Sequence, residues 1–156
     1  MARKEKPKKR IILPDPVYNS YLVQRFINNL LKKGKKSIAT KIFYQTLNNI
    51  EEKTNKDPLE ILDQAIRKTT PLIEVKSRRI GGSTYQLPLT VESNRGISLA
   101  ICWIITAANK RSGKGIVIKL TNEIIDASKN LGLAIRKKEE VHKMAEANKA
   151  FAHFRA

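Results

Sequence analysis

At 156 residues the chain can bury about 68–70% of the surface its unfolded form exposes, and 41% hydrophobic with 29% charged residues suits one folded domain. Lys and Arg number 31 against 14 Asp and Glu, a formal charge of +17, and a body that basic is relieved of its self-repulsion by a polyanion, so nucleic acid is the expected partner. The single Cys102 excludes an internal disulfide, and no apolar run reaches the roughly 18 residues of a membrane span, Ile101 to Ala108 being far too short.

The chain opens on an arm. Arg3 to Arg10 hold six cations and one acid, Pro7 interrupts them, and Pro14 and Pro16 follow. Such a stretch has too little apolar area to order itself, so residues 1–18 are expected to be a flexible basic arm that becomes structured on a partner. It lacks the apolar core of a secretory signal, and Glu5 and Pro7 argue against an amphipathic transit peptide. Residues 19–156 are expected to form one domain.

From Asn19 or Ser20 as N-cap, Leu22, Val23, Phe26, Ile27, Leu30 and Leu31 trace one helical face, stopped by Gly34. Ile38, Ile42, Phe43, Leu47 and Ile50 predict a second helix ending in the polar stretch Glu51 to Lys56. Asp57-Pro58-Leu59-Glu60 combines a cap, a proline at the first helical position and a glutamate at the third, which starts a third helix with Leu59, Leu62, Ala65 and Ile66 inward. The period then drops to two. Ile73 and Val75 alternate with charges, and Tyr85, Leu87 and Leu89 alternate with polar residues beyond Gly81-Gly82, which predicts a β-hairpin at about 72–91. Helical spacing returns at Ile97, Ile101, Ile104, Ile105 and Ala108, breaks at Ser112-Gly113, and resumes at Val117, Leu120, Ile124 and Ala127 up to Gly132. A sixth helix from Ala134 to about Phe151 carries Val141, Met144, Ala145 and Asn148 on one side and cations elsewhere. The expected fold is mainly α: a six-helix, bundle-like domain with a β-hairpin protruding between helices three and four.

No catalytic constellation emerges. Cys102, between Ile101 and Trp103, reads as a buried, inert thiol. His142 and His153 have no ligand partner at metal spacing, and "SGKG" at Ser112 to Gly115 lacks the upstream glycine and following hydroxyl residue of a phosphate loop. Glu139 and Glu140 sit among lysines, as surface ion pairs do. The expectation is no enzyme, no cofactor, no metal and no small-molecule substrate.

The cations, in contrast, cluster in the connections, where they can converge on a phosphate backbone without disturbing a core: the arm, Lys32 to Lys36, Lys76 to Arg79, Asn109 to Lys114 and Arg136 to Lys138. Aromatics are 6% of residues and fall mostly at core positions, which argues against serial stacking of single-stranded bases; Tyr85 is the exception, poised to stack on a base or to pack across the hairpin. A helical DNA-binding regulatory or architectural protein is the alternative, although no short helix-turn-helix is visible.

"ILPDPVYNS" at Ile12 to Ser20, "GKKSIA" at Gly34 to Ala39, "EVKSRRIGGSTYQLP" at Glu74 to Pro88 and "RKKEEVHKMAEANKAFAHFR" at Arg136 to Arg155 together resemble the bacterial-type family of ribosomal protein seven of the small subunit. The resemblance covers essentially the whole chain. It implies a primary binder of 16S-type rRNA that nucleates the head, or 3′ major domain, with six helices and a β-ribbon that reaches toward the exit site, near departing tRNA and the mRNA path. Small-subunit proteins nine and eleven are the implied protein neighbours. The rRNA contacts it implies fall on Arg3, Lys4, Lys8, Lys9 and Arg10 of the arm; on Lys33, Lys35 and Lys36; on Lys76, Arg78 and Arg79; on Arg95, Lys110, Arg111, Lys114 and Lys119; and on Arg136, Lys137, Lys143 and Lys149. Arg79, Gly81, Gly82, Ser83, Thr84 and Tyr85 form the tip near exit-site tRNA and mRNA. The arm and the stretches "SNRGIS" and "NLGLA" depart from the bacterial pattern. The ending "FAHFRA" and the "IRKKEE" segment resemble plastid members, so the plastid stroma is the expected compartment, with a bacterial cytoplasm as the alternative.

Overall fold

The computed structural model describes residues 11–150. The first turn it describes is built on a carboxylate. Asp15, 2% exposed, accepts hydrogen bonds from the backbone N–H groups of Val17 (3.2 Å) and Tyr18 (3.1 Å) and from the Tyr44 hydroxyl (2.8 Å). The Tyr18 and Tyr44 rings meet edge to face at 5.7 Å. Residues Asp15 to Tyr18 are thereby docked on the helical body, although they fall inside the expected arm. Burial, followed by the bond to Asp15, pushes the Tyr44 pKa up to about 12.

Six helices and one hairpin follow: α1 (Tyr21–Leu30), α2 (Lys36–Thr54), α3 (Pro58–Thr69), β1 (Ile73–Ile80), β2 (Ser83–Thr90), α4 (Ser93–Lys110), α5 (Ile116–Ser128) and α6 (Leu133–Ala147). The chain order and the place of the hairpin match the expected fold. Of the capping box at the start of α3, the Asp57 half is formed, with its carboxylate accepting from the Leu59 N–H at 2.9 Å and Pro58 in the first turn.

The core is where the apolar stripes meet. Phe26 of α1 stacks on Phe43 of α2 with centroids 4.6 Å apart, and both are fully buried. Ile101 and Ile104 of α4 and Leu120 and Ile124 of α5 are likewise inaccessible, and α5 packs against α2, α3 and α4. Each such side chain contributes about 1.5–3 kcal/mol through burial. Three predicted inward positions turn out otherwise. Ile38 is 52% exposed, because one turn into α2 it still stands beyond the rim of the core. Met144 is 39% exposed, since the inward side of α6 is carried by the small Ala134 and Ala145 with Ile135. Cys102 is exposed, not buried: Ile101, Ile104, Ile105 and Ala108 occupy the inward arc of α4, and position 102 lies a hundred degrees round from Ile101.

In the hairpin, Ile80 pairs with Ser83, so the connection is the two residues Gly81 and Gly82, at φ +56° and +90°. Both angles lie in the region a primed two-residue turn demands and L side chains avoid. That register places Ile73 and Val75 opposite Thr90 and Pro88, on one face, and Glu74 and Lys76 opposite Leu89 and Leu87, on the other. The two apolar sets picked out by alternation therefore lie on opposite faces of the ribbon. Leu87 is 3% exposed, and its neighbour toward the body on β1 is a carboxylate, Glu74.

Candidate nucleic-acid interface

Acidic residues are segregated in this chain. Tyr21–Ile50 contains six Lys or Arg and Ser93–Asn122 five, and neither stretch contains a single Asp or Glu. In the fold they become α1, most of α2, α4 and the first half of α5, which pack on one another. Tertiary packing thus merges two acid-free segments into one region with no internal counter-charge. A surface built from such segments carries a surplus of positive charge, which is what draws and orients a polyanion. This signal was present in the sequence as spacing between acids, and counting cation clusters alone passes over it.

The α1–α2 connection projects its lysines by backbone geometry. Lys33 (φ 52°) and Gly34 (φ 74°) are both left-handed, and the turn is closed by Lys35 N–H donating to the Lys32 carbonyl at 3.1 Å. Lys33, Lys35 and Lys36 are all exposed. On the α4–α5 connection Lys110 and Lys114 are exposed and Lys119, one turn into α5, is half-buried.

Arg111 does something else. Its guanidinium donates through Nε to Glu123 and through Nη2 to Asp126, and Glu123 is fully buried. The other Glu123 oxygen accepts the Ala134 N–H at 2.9 Å, in the first turn of α6. Burial alone would lower the arginine pKa, but the bonds to Asp126 and Glu123 outweigh it and raise it. One cation therefore ties the ends of α4 and α5 to the start of α6.

The ribbon base is similarly braced. Glu74 accepts from Arg95 Nε at 2.8 Å and pairs with Lys76 Nζ at 3.1 Å. Burial would raise the Glu74 pKa, but the two cations prevail and hold it below the ordinary value near 4.5. Lys76 and Arg95 thus share a counter-ion within the chain. Arg78 and Arg79 lie further out, exposed, opposite Tyr85 and Thr84, and the half-buried Tyr85 sits on the face that carries Leu87. Gly81, Gly82, Ser83 and Thr84 form the exposed tip.

On α6, Arg136, Lys137, Lys143 and, just beyond its end, Lys149 are exposed. Lys137 pairs with Glu140 at 3.2 Å. Lys110, Arg136 and Lys137 come together around a groove of about 350 Å³ that also includes Trp103. Lys138, in contrast, donates to the Lys68 carbonyl, and His142 Nε2 accepts the Leu72 N–H at 3.2 Å, so two α6 side chains clamp the α3–β1 junction. Arg3, Lys4, Lys8, Lys9, Arg10 and Phe151 lie outside the described residues, and the sixth helix, expected from Ala134 to about Phe151, ends at Ala147 with Asn148 as its C-cap.

Among the described residues no group of three His, Cys, Asp or Glu could hold a metal ion, and no helix is long and apolar enough to cross a membrane. A basic helical body with a braced, arginine-bearing β-ribbon defines the class: a scaffold protein whose chemistry is electrostatic.

Comparison with known proteins narrows this to a family. The family described as Ribosomal protein S7p/S5e matches residues 2–149. Relatives include the small ribosomal subunit protein uS7c of Ostreococcus tauri, 59% identical over 155 residues, and that of Tupiella akineta, 56% identical over 155 residues. The small ribosomal subunit protein uS7 of Acaryochloris marina is also 56% identical over 155 residues, and each of these alignments covers 99% of both chains. The chain belongs to this family: it is a ribosomal protein of the small subunit and not an enzyme. The chloroplast-type name uS7c, borne by several of these relatives, supports the plastid compartment expected from the chain's ending.

Proposed function

We propose that the chain is a primary binder of 16S-type rRNA that nucleates assembly of the head of the small subunit. On this reading the ribbon tip, Arg79 to Tyr85, lies near exit-site tRNA and the mRNA path, and small-subunit proteins nine and eleven are neighbours. The observation that carries the rRNA reading is the acid-free region formed by α1, most of α2, α4 and the first half of α5, with lysines projected from both of its connections. Lysines and arginines on loops and helix ends contact phosphates of irregular RNA, while Gly81 and Gly82 let the ribbon backbone approach without side-chain obstruction. The placement near tRNA, mRNA and the two proteins is supported by the family resemblance of the ribbon block.

Footprinting on small-subunit rRNA tests target and orientation together. Protection confined to the 3′ major domain is expected, with a log-log salt slope of about −4 to −7 for six to ten phosphate contacts on irregular RNA. Affinity that is indifferent to a fourfold rise in salt, or preference for duplex DNA over structured rRNA, would refute the proposal. Replacing Arg78 and Arg79 with Ala is expected to weaken binding while leaving cooperative thermal unfolding intact, because neither side chain is in the core.

A further inference from the structure

Within the acid-free region, between the end of α1, the first turns of α2, the end of α4 and the start of α5, lies a groove of about 270 Å³. Its walls are aliphatic: Leu30, Ile42, Ile105 and Ile116, with Ile38 standing 52% exposed at its edge. Its polar lining is the exposed Lys32 and Lys35 on one side and the exposed Asn109 amide on another.

Because Ile38 stands beyond the rim of the core, its side chain is left available at the edge of this groove. The volume falls just short of the roughly 300–1,000 Å³ of sites that enclose drug-sized ligands, so the groove suits a single flat ring system. The two ammonium groups at its rim and the lack of any acid in the surrounding stretches select an anionic partner. An apolar helix of a protein partner would need acids of its own to meet those lysines and a longer trough to lie in. RNA offers the matching combination: bases splayed from loops and bulges have apolar faces, polar edges and a phosphate on either side.

We infer that this groove receives one unstacked base of RNA, with its face against Ile38, Ile42 and Ile116, its edge within reach of the Asn109 amide, and its flanking phosphates on Lys32 and Lys35. Asn109 offers both a donor and an acceptor, so it can read a base edge in either sense. The inference rests on the rRNA-binding reading above and adds a base-specific subsite to a surface otherwise reading only phosphates.

The test uses the full chain and an rRNA fragment of the 3′ major domain. Ile38→Gln keeps a good helix former at an exposed position, so the fold is retained. Its affinity is expected to fall about tenfold, the scale of one base contact, with an unchanged salt slope. Lys35→Ala is expected to shift the slope by about 0.7 toward zero, as the loss of one phosphate contact does. A diazirine side chain at position 38 is expected to crosslink to one unpaired nucleotide. Wild-type-like binding by Ile38→Gln, or a crosslink to protein or to base-paired RNA, would overturn the base pocket while leaving the rRNA reading intact. Failure of the unaltered chain to bind the fragment would overturn both.

Discussion

Arg111→Ala separates a structural cation from an RNA-binding one. Truncation leaves Glu123, fully buried, with the Ala134 N–H as its remaining described partner, and leaves the partly exposed Asp126 to solvent. Removing one partner of a buried ion pair costs about 3–5 kcal/mol. Here Arg111 and Asp126 side chains are 22% and 38% exposed, so solvent screens part of that, and about 2–4 kcal/mol is expected. For a chain of this length that is a fall in Tm of roughly 4–16 °C, at 2–4 °C per kcal/mol. Adding Glu123→Gln removes the stranded charge while its amide oxygen still accepts the Ala134 N–H, so the double variant should recover about 1–2 kcal/mol. Urea unfolding followed by circular dichroism measures both. A stability change below about 0.5 kcal/mol in Arg111→Ala, with a salt slope for rRNA reduced by about 0.7, would refute this reasoning and return Arg111 to the phosphate contacts.

Gly132→Ala should destabilise by about 2–4 kcal/mol, because φ is +97° and a Cβ would stand 2.8 Å from Glu123 Oε1; unfolding midpoints check it, and a neutral result would mean the α5–α6 turn can move. Tyr44→Phe deprives the buried Asp15 of one of its three donors and should cost about 1–2 kcal/mol, with faster proteolysis in the Ile11 to Tyr18 segment as a second readout. His142 has its pKa held below 6.5, by burial first and Lys138 second, and accepts the Leu72 N–H only when neutral. Its contribution is complete above pH 6.5 and is lost as pH falls through the lowered value, so the protection of the Leu72 amide, measured against its intrinsic exchange rate, should drop as pH falls below 6.5 in the native chain and not in His142→Gln.

Much of the architecture was legible because helix periodicity and caps are local. Asp57-Pro58 starts α3, and the apolar positions of α1, α4 and α5 fall on the buried arcs. Ile38, Met144 and Cys102 were misread because a helical period says which residues share a face, and only the neighbours decide how far along that face burial extends. The ribbon shows the same division. Gly81-Gly82 announced a tight turn, yet alternation within each strand could not tell which strand face opposes which; one residue of register exchanges every side chain.

Charge divides differently. Composition by itself pointed to a polyanionic partner, because a surplus of this size cannot be cancelled within the chain. Which cations already hold a carboxylate within the chain was decided largely by tertiary structure. Arg111 and Arg95 look in the sequence like their neighbours, and their carboxylates, Glu123 and Glu74, lie 12 and 21 residues away, brought into contact by packing, whereas Lys76 meets Glu74 two residues away on the same strand face. Ion pairing acts over a few ångströms of space, whatever the distance along the chain, so a cation's role is settled only when the fold has chosen its neighbours.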